Sequence, residues 1–385
     1  MSEGAKTPYY LFSMEAFEKR VKTIADALPK IPLVFSIKAN PFILTSKMPA
    51  EITRVEVCSP GELSICERLH IRPESIIYSG VVKEVEDISE AIRYGAGILT
   101  AESKRHVELI EKSAGLEDAS KVVKVLLRLS AGNQFGMSES DIFDIFEMKN
   151  DLRHIDIIGI HFYSGTGKSK AKKIEKDLKQ LRALLADLKD KYGFEPAMVE
   201  YGPGLAVEYF NEPRDAEDER VLMETAPVIN EFAKEVPLSI EMGRYMAASC
   251  GEYHTKVADI KKTDGVTYAL LDGGMHHVNY FGQMMAMKMP PIRQSEVRAR
   301  ETEPYTLCGS LCTTADVLAR DAMLAPLSIG DELVFERVGA YSAMEAPALF
   351  LSRKLPEIWI KDKEGMKMIR SSEPADEINL PLGKV

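Results

Sequence analysis

Lys38 could take part in covalent chemistry, because it directly follows the apolar run Leu33–Ile37. We expect burial at this position to favour the neutral amine, which is the form that attacks a carbonyl group to make a Schiff base. A lone lysine at a strand end is more often a residue whose aliphatic stem is buried while its ammonium reaches water. Taken alone, Lys38 therefore leaves a catalytic and a structural interpretation open.

Two glycine-containing segments and one acid–base pair follow later apolar runs. The segments His161–Gly167 and Gly202–Gly204 could expose backbone N–H groups to a phosphate, although glycines in turns mostly serve the backbone. Glu241 stands three residues before Arg244, a spacing that suits an ion pair at a strand end. If a phosphorylated pyridine ring binds nearby, Glu241 could instead keep the ring nitrogen protonated, and Arg244 could bind the phosphate.

The adjacent histidines His276 and His277 raise the question of a metal site. Neighbouring residues of a strand point to opposite faces, and no H-E-x-x-H motif or Cys/His cluster accompanies the pair. We therefore predict no metal.

Eight short apolar or β-branched runs occur between residues 15 and 245, and stretches with helical spacing separate them. This alternation predicts a parallel sheet with crossover helices, and eight strands close a (β/α)₈ TIM barrel, whose chemistry lies where the strands end. The predicted strands are Leu33–Ile37, Arg54–Cys58, Ser75–Ser79, Gly97–Thr100, Val122–Leu129, Ile155–Phe162, Ala197–Tyr201 and Leu238–Glu241. The predicted helices include Met14–Leu28, Gly61–His70, Val85–Tyr94, Glu139–Met148 and Lys168–Tyr192.

After Arg244 the apolar runs are separated by Gly, Pro and Asp turns, which predicts a second, antiparallel β domain built as a sandwich or barrel. The run Tyr9–Ser13 precedes the first helix and is expected to join that domain. We therefore predict a barrel over 15–245 and a β domain formed by 1–14 with 246–385. Within it, Cys312 and Tyr341 are by themselves an ordinary small hydrophobe and an ordinary aromatic residue.

Composition excludes several kinds of partner. The chain has 385 residues and a net charge of −10, which would repel nucleic acid and an anionic membrane surface. No apolar run approaches the length of a bilayer span. The five cysteines are odd in number and form no C-x-x-C pair, so we expect a reducing, cytoplasmic location.

In this order, the segments resemble the fold-type III, or alanine-racemase-like, pyridoxal-phosphate decarboxylases, which include the ornithine and diaminopimelate decarboxylases. The resemblance covers nearly the whole chain. It is carried by Ser36–Asn40, Ser59–Leu63, Gln134–Met137, His161–Gly167, Gly202–Gly204, Glu241–Arg244, Cys312 with Asp316, and Gly339–Tyr341.

The resemblance implies a role for each of these positions. Lys38 would form the internal aldimine with pyridoxal 5'-phosphate, and Glu241 would pair with the pyridine nitrogen. The phosphate would lie among Thr166, Gly202, Gly204, Arg244 and Tyr341, with Arg128 and Tyr163 as further cofactor contacts and His161 as a catalytic residue. The family is dimeric with shared active sites, so Cys312 would reach the neighbouring subunit's cofactor as a proton donor.

The glutamate favours decarboxylation over racemisation. A protonated pyridinium beside Glu241 is a strong electron sink, which would stabilise the quinonoid state that follows loss of CO₂. In the racemase branch of the resemblance an arginine faces the ring nitrogen instead.

Two departures from the family pattern bear on the substrate. Tyr163 stands where the family usually has histidine, and it adds no positive charge at neutral pH. Thr313 follows Cys312 where the diamine-type enzymes carry an acid for the distal ammonium, a charged hydrogen bond worth about 1.5–3 kcal/mol. Thr313, Asp316 and Arg244 are the expected substrate contacts, and free ornithine, lysine and diaminopimelate are disfavoured.

Three short segments are more similar to the natural-product and siderophore subgroup, which acts on conjugates such as carrier-bound glutamyl groups or citryl-diamino acids. They are Phe162–Thr166, Leu311–Thr313 and Phe350–Arg353. The expected substrate is thus an amino acid or an amino-acid conjugate, with a carrier protein as a possible partner.

Four alternatives stay open at this stage. The chain could be a diaminopimelate- or ornithine-type decarboxylase, an amino-acid racemase, a non-enzymatic carrier of pyridoxal phosphate, or a cofactor-free barrel enzyme in which Lys38 is structural.

Overall fold

Two compact units make up the chain in the computed structural model, which describes residues 4–118, 120, 122–350, 353–376 and 378. One, the barrel unit, comprises Val21–Val207 and Asp215–Tyr245. The other, the β unit, comprises Met1–Arg20, Glu208–Arg214 and Met246–Val385. The domain ranges 15–245 and 246–385 with 1–14 remain our proposal, and these units differ from them in the segments before Val21 and around Glu208–Arg214.

Eight parallel strands close the barrel, in the order of the chain. Strands are numbered from the N-terminus, and β1 (Tyr9–Ser13) belongs to the β unit. The barrel strands are β2 (Leu33–Ser36), β3 (Ile52–Val57), β4 (Ile76–Tyr78), β5 (Ile98–Ala101), β6 (Val123–Leu129), β7 (Ile155–Tyr163), β8 (Met198–Gly202) and β9 (Leu238–Met242). The predicted (β/α)₈ barrel is confirmed, and every predicted strand overlaps an observed one.

Helices connect the barrel strands. They are α1 (Met14–Ala27), α2 (Pro60–Arg68), α3 (Val85–Tyr94), α4 (Lys104–Glu117), α5 (Glu139–Glu147), α6 (Ala171–Tyr192), α7 (Arg214–Phe232) and α8 (Arg244–Ala247), while α9 (Ser342–Glu345) lies in the β unit. Helix α2 shows how the sequence sets a start: Ser59 accepts a hydrogen bond from the Glu62 N–H, Pro60 occupies the first turn, and the Glu62 carboxylate accepts from the Cys58 N–H. Helix α6 begins three residues later than predicted, because the Lys168 backbone pairs with Gly204 and Leu205 instead.

The barrel interior has an apolar layer at the N-terminal ends of the strands and a polar layer above it. Val34, Ile77, Ile98, Leu126 and Met198 form the apolar layer, and all are buried. Because residues two apart on a strand share a face, the next inward positions carry polar side chains. These positions are Ser36, Ser79, Thr100, Arg128 and Glu200, all buried.

The β unit contains one nine-stranded sheet, in the order β14-β13-β11-β10-β1-β16-β17, with β15 paired to β10 and β12. Its further strands are β10 (Gly251–Thr263), β11 (Val266–Leu271), β12 (Ile292–Gln294), β13 (Glu303–Cys308), β14 (Val317–Leu324), β15 (Glu332–Glu336), β16 (Glu357–Asp362) and β17 (Gly365–Arg370). Tyr9–Ser13 joins this sheet, as predicted.

The sheet is mixed, whereas the sequence suggested a purely antiparallel one. Strand β1 pairs in parallel with β16, and β11 pairs in parallel with β13. A parallel pair needs a long connection, and both pairs have one: the whole barrel separates the first, and residues 272–302 separate the second. Within the residues that the structure describes, no helix is both long and apolar enough to span a membrane.

A buried ion pair ties α6 to the loop that precedes it. The Lys168 ammonium lies 2.9 Å from Asp177, and both side chains are less than 10% exposed. Asp177 also accepts hydrogen bonds from Ser164 and Tyr201, each at 2.8 Å. This carboxylate therefore fixes the glycine-containing loop after β7 to the neighbouring strand.

We expect Asp177→Asn to lower the free energy of unfolding by about 3–5 kcal/mol, because it leaves a buried ammonium without its counter-charge. The exposed ion pair between Arg182, on the same helix, and Glu235, after α7, provides the control. Glu235→Gln should cost at most about 1 kcal/mol. Urea titrations followed by far-UV circular dichroism measure the free energy of unfolding of both variants. Equal losses of this free energy would contradict the stabilising role of the buried Lys168–Asp177 pair.

Candidate active site

Lys38 lies in a single helical turn directly after β2, at the C-terminal mouth of the barrel. Its Nζ atom is 3.2 Å from Glu56 Oε2 and 3.0 Å from Cys58 Sγ. Glu56 lies in β3, and Cys58 directly follows that strand. The expectation of a desolvated lysine was wrong: 39% of the side chain is exposed, and a carboxylate balances its charge. The amine is therefore held in place by an ion pair and remains accessible.

Glu56 is a central residue that the sequence reasoning missed. Burial raises the pKa of Glu56, but the charge of Lys38 and hydrogen bonds with Glu241 and Ser36 outweigh it, so the pKa lies well below its ordinary range. Burial and the neighbouring Glu56 carboxylate raise the pKa of the Cys58 thiol well above its usual value. At neutral pH the site around Lys38 thus holds a carboxylate and an uncharged thiol.

The side chains of His161 and Glu241 contact each other inside the barrel. His161 Nε2 is 3.3 Å from Glu241 Oε2, and the two side chains are 1% and 10% exposed. Among the described residues, the second ring nitrogen of His161 has no hydrogen-bond partner. The imidazole of His161 can therefore orient the carboxylate of Glu241. Glu241 is the residue that was predicted to pair with the pyridine nitrogen of the cofactor.

Glu56, His161 and Glu241 also form the one group in the described part of the chain whose ligand atoms could hold a metal ion, all within 4.8 Å of one another. Glu56 is already engaged by Lys38 and by Ser36, whose hydroxyl donates at 2.7 Å. The absence of a metal from this protein stays a prediction.

Glu200 is a second acid that the sequence reasoning missed. It lies on β8 in register with His161 and is fully buried. Neither of its carboxyl oxygens has a hydrogen-bond partner among the described residues. Burial, and then the charges of Glu241 and Glu56, raise its pKa well above the ordinary value. The buried surroundings of Glu200 therefore favour its protonated, uncharged form.

The two glycine-containing loops contact each other closely. Gly204 has φ of +58°, and a Cβ atom there would lie 2.0 Å from the Gly165 carbonyl oxygen. A Cβ atom on Gly202 would lie 2.7 Å from the Tyr163 ring and 3.4 Å from Glu241. Both positions therefore require glycine, and the loops leave a cradle lined by backbone.

Tyr163 connects this cradle to the charged residues. Burial and the Glu241 charge raise the pKa of Tyr163, while a hydrogen bond with Thr166 and the charges of Lys38 and Arg244 lower it. The predicted residues brought together at this mouth are Lys38, His161, Tyr163, Thr166, Gly202, Gly204, Glu241 and Arg244.

Arg128 is held by a carboxylate at the same end of the barrel. Its guanidinium donates to Glu102 at 2.7 Å and lies 4.9 Å from the centre of the Phe135 ring. Glu102 also accepts from the Gly136 N–H, which fixes the Gln134–Met137 loop. Glu102 directly follows β5, so the rule of inspecting strand ends would have found it.

The turn between β13 and β14 carries three predicted residues of the β unit. Cys312 and Thr313 are exposed there, whereas Asp316 is 2% exposed. Asp316 accepts from the N–H groups of Met275 and Leu311, both at 2.8 Å. This geometry favours a role for Asp316 in shaping the turn over the direct substrate contact that was predicted.

Tyr341 has φ of +66°, in the left-handed region that is costly for a residue with a side chain. Such strain persists where the surrounding structure enforces it, often at functional sites. Of the segment Phe350–Arg353, two residues, Leu351 and Ser352, lie outside the described part of the chain.

Comparison with known proteins shows the family. A family model described as pyridoxal-dependent decarboxylase, pyridoxal binding domain, matches residues 14–248. The chain is 28% identical to L-glutamyl-[BtrI acyl-carrier protein] decarboxylase of Niallia circulans, over 98% of this chain and 94% of that protein. It is 29% identical to 2-[(L-alanin-3-ylcarbamoyl)methyl]-2-hydroxybutanedioate decarboxylase of Staphylococcus aureus, over 91% and 92%. The solved diaminopimelate decarboxylase of M. jannaschii shares the fold, with a TM-score of 0.84 at 21% identity, over 98% of this chain and 92% of that one.

The residues at the barrel mouth fit pyridoxal phosphate. Lys38 supplies an accessible amine, Glu241 a carboxylate for a ring nitrogen, and Arg244 with the glycine cradle a cationic and N–H-rich place for a phosphate. The structure thus offers each kind of group that this cofactor needs.

We expect borohydride reduction of the cofactor-loaded protein to attach the cofactor to Lys38, as peptide mass mapping would show. Lys83 is the competing amine, since burial lowers its pKa to about 8, but it is only 2% exposed. Lys38→Arg should abolish the absorption band near ~420 nm that is typical of this cofactor on lysine. Lys47→Arg, at an exposed position, should keep it. An adduct on Lys83 would contradict the assignment.

Glu241→Gln should lower decarboxylation about 10²–10³-fold while the cofactor still binds, because an amide cannot stabilise a protonated ring nitrogen. Glu200→Gln is the matched control, and its rate should change by less than about threefold, because burial already favours the uncharged form of Glu200, which the amide resembles. Initial rates of CO₂ release and the absorption spectra of both variants measure this difference. Equal losses of rate in the two variants would contradict the assignment of the ring-nitrogen role to Glu241 rather than Glu200.

Proposed function

Since this chain belongs to the pyridoxal-dependent decarboxylase family, we propose that its substrate is an amino-acid conjugate whose distal end carries no free ammonium group. The enzyme is a pyridoxal-phosphate-dependent decarboxylase of amino acids or their conjugates. The proposal concerns which of these substrates it takes.

The turn that carries Cys312 supports this choice. In the family pattern, diamine-type enzymes carry an acid directly after this cysteine, whereas this chain has the neutral Thr313. The one acid between β13 and β14 is Asp316, and backbone N–H groups engage both of its carboxylate oxygens. The turn therefore presents no free carboxylate to a distal ammonium, and this is the observation that carries the proposal.

The names of two relatives point in the same direction. The Niallia circulans protein is named for a glutamyl group on an acyl-carrier protein, and the Staphylococcus aureus protein for a citrate-like acid joined to alanine through an amide. Neither named substrate is a free diamino acid. We propose that the present enzyme acts on a conjugate of the same kind, which a carrier protein could present.

The chemical roles follow from the charges at the barrel mouth. Pyridoxal phosphate, when bound, supplies the electron sink for the pair of electrons that CO₂ leaves at Cα. Lys38 would hold the cofactor, Arg244 and the glycine cradle would hold its phosphate, and Glu241, oriented by His161, would keep a proton on the ring nitrogen. Cys312 Sγ would return a proton to Cα.

We further propose a homodimer in which Cys312 and Tyr341 serve the neighbouring copy, because the family resemblance implies active sites shared between two subunits. A reducing, cytoplasmic location suits the five cysteines, which are all free thiols and include Cys58 beside Lys38.

A CO₂-release screen tests the substrate class directly. Ornithine, lysine and diaminopimelate should react slowly, whereas glutamyl thioesters of pantetheine and citryl conjugates of diaminopropionate should include the best substrate. The second candidate function is a diamino-acid decarboxylase, in keeping with the fold shared with diaminopimelate decarboxylase. Faster turnover of a free diamino acid than of every conjugate would establish it and overturn the proposal.

Thr313→Asp should raise kcat/KM for ornithine by about 10- to 100-fold, because a charged hydrogen bond to the distal ammonium is worth about 1.5–3 kcal/mol. Thr314→Asp adds the same charge one position later in the same exposed turn and should have little effect. If both variants gain equally, general electrostatic attraction rather than a specific contact is responsible.

A further inference from the structure

The barrel has a second cavity at the mouth opposite the active site. It has a volume of about 680 Å³ and is lined by residues at or before the N-terminal ends of the strands. Binding sites for small molecules typically have volumes of about 300–1,000 Å³. The apolar layer of Val34, Ile77 and Met198 lies between this cavity and the polar layer above it.

Arg54 is a charged residue on a barrel strand that projects inward at this cavity, and Lys124 lies on the inward face of β6 at the same end. Arg54 precedes Glu56 by two residues on β3, so both side chains point to the barrel interior. Its buried Nε atom has no hydrogen-bond partner, and the guanidinium has no ion-pair partner among the described residues. Arg54 is partly exposed at the cavity wall, and a guanidinium that has a buried nitrogen and no partner among the described residues is a site for an anion.

The rest of the lining defines the chemistry of that anion. Lys30 and Lys124 stand at the rim with Glu74 and Asp156, and together with Arg54 these residues give the lining a net charge of +1. A net charge of +1 suits a monovalent anion better than a dianionic phosphate. The planar carboxylate also matches the fork of a guanidinium.

The walls between the charged groups are apolar. They include Ile31, Ile98, Ile158, Met198 and Leu238. A ligand that fills this space therefore needs an apolar body as well as its charge, because burial of hydrocarbon contributes about 25 cal/mol for each Å² removed from water.

We propose that the N-terminal mouth of the barrel is a binding site for a small organic carboxylate with an apolar body, held by Arg54. The site is separate from the cofactor site, because the strands are parallel and the two lie at opposite ends of them. It connects to the active site through charge: Arg54 lowers the pKa of Glu200, against the effect of burial and of Glu241. A bound carboxylate would neutralise Arg54 and so strengthen the protonated state of Glu200.

The test uses fluorine NMR of trifluoromethylbenzoate with the cofactor-loaded enzyme. The alcohol and amine analogues of this probe serve as charge controls and should bind more weakly. Arg54→Met should weaken binding of the carboxylate at least about tenfold, the loss expected for one charged hydrogen bond. Lys47→Met removes an exposed cation elsewhere and should leave the affinity unchanged.

A second variant separates this cavity from the active site, which could also bind a carboxylate. Ala197 lines the cavity, and Ala197→Trp should block it without removing any charge. This variant also carries the test if Arg54→Met does not fold. Loss of binding in Ala197→Trp, with the cofactor absorption band intact, supports the proposal. Undiminished binding in both variants, or no binding of the probe to the unmodified enzyme at millimolar concentration, overturns it.

Discussion

Charge balance inside the barrel is the constraint on which the site depends. Three carboxyl groups, those of Glu56, Glu200 and Glu241, lie in a space where isolated charges are costly. Lys38 compensates one of them directly, which keeps Glu56 ionised. With that cation engaged by Glu56, burial and the neighbouring carboxylates raise the pKa of Glu200 and favour its protonated form. Lys38, the residue that we propose binds the cofactor, thus also balances charge inside the barrel.

The fold was largely predictable from the sequence, because the alternation of apolar runs and helical stretches is regular up to residue 245. Lys38 and Arg244 were singled out because they follow strands, and Glu241 because it closes the predicted strand Leu238–Glu241, where a barrel presents its chemistry. Glu56 and Glu200 were missed because they lie within strands, among residues that read as core. The signal was present: in Arg54–Cys58 every second residue is polar or a thiol, which marks a face that does not pack in an apolar core.

Other details depended on long-range contacts that the sequence does not display. The parallel pairing of β1 with β16 joins residues from opposite ends of the chain. Asp316 was predicted as a substrate contact because the segment that contains it and Cys312 resembles the decarboxylase family. Its two oxygens are in fact used by backbone groups of two different segments, and only the folded turn brings these together.

The position of β1 has a consequence for how the protein is made. This strand lies between β10 and β16, and it leaves the ribosome first. Ser13 and Glu357 are 344 positions apart, so at about 5–20 residues per second the ribosome takes roughly 20 to 70 s to deliver the second partner. During that interval the barrel can close, whereas the apolar Tyr9–Ser13 segment has an unpaired edge. Nascent chains of this protein should therefore expose a short binding site for chaperones at β1 until β16 has been synthesised.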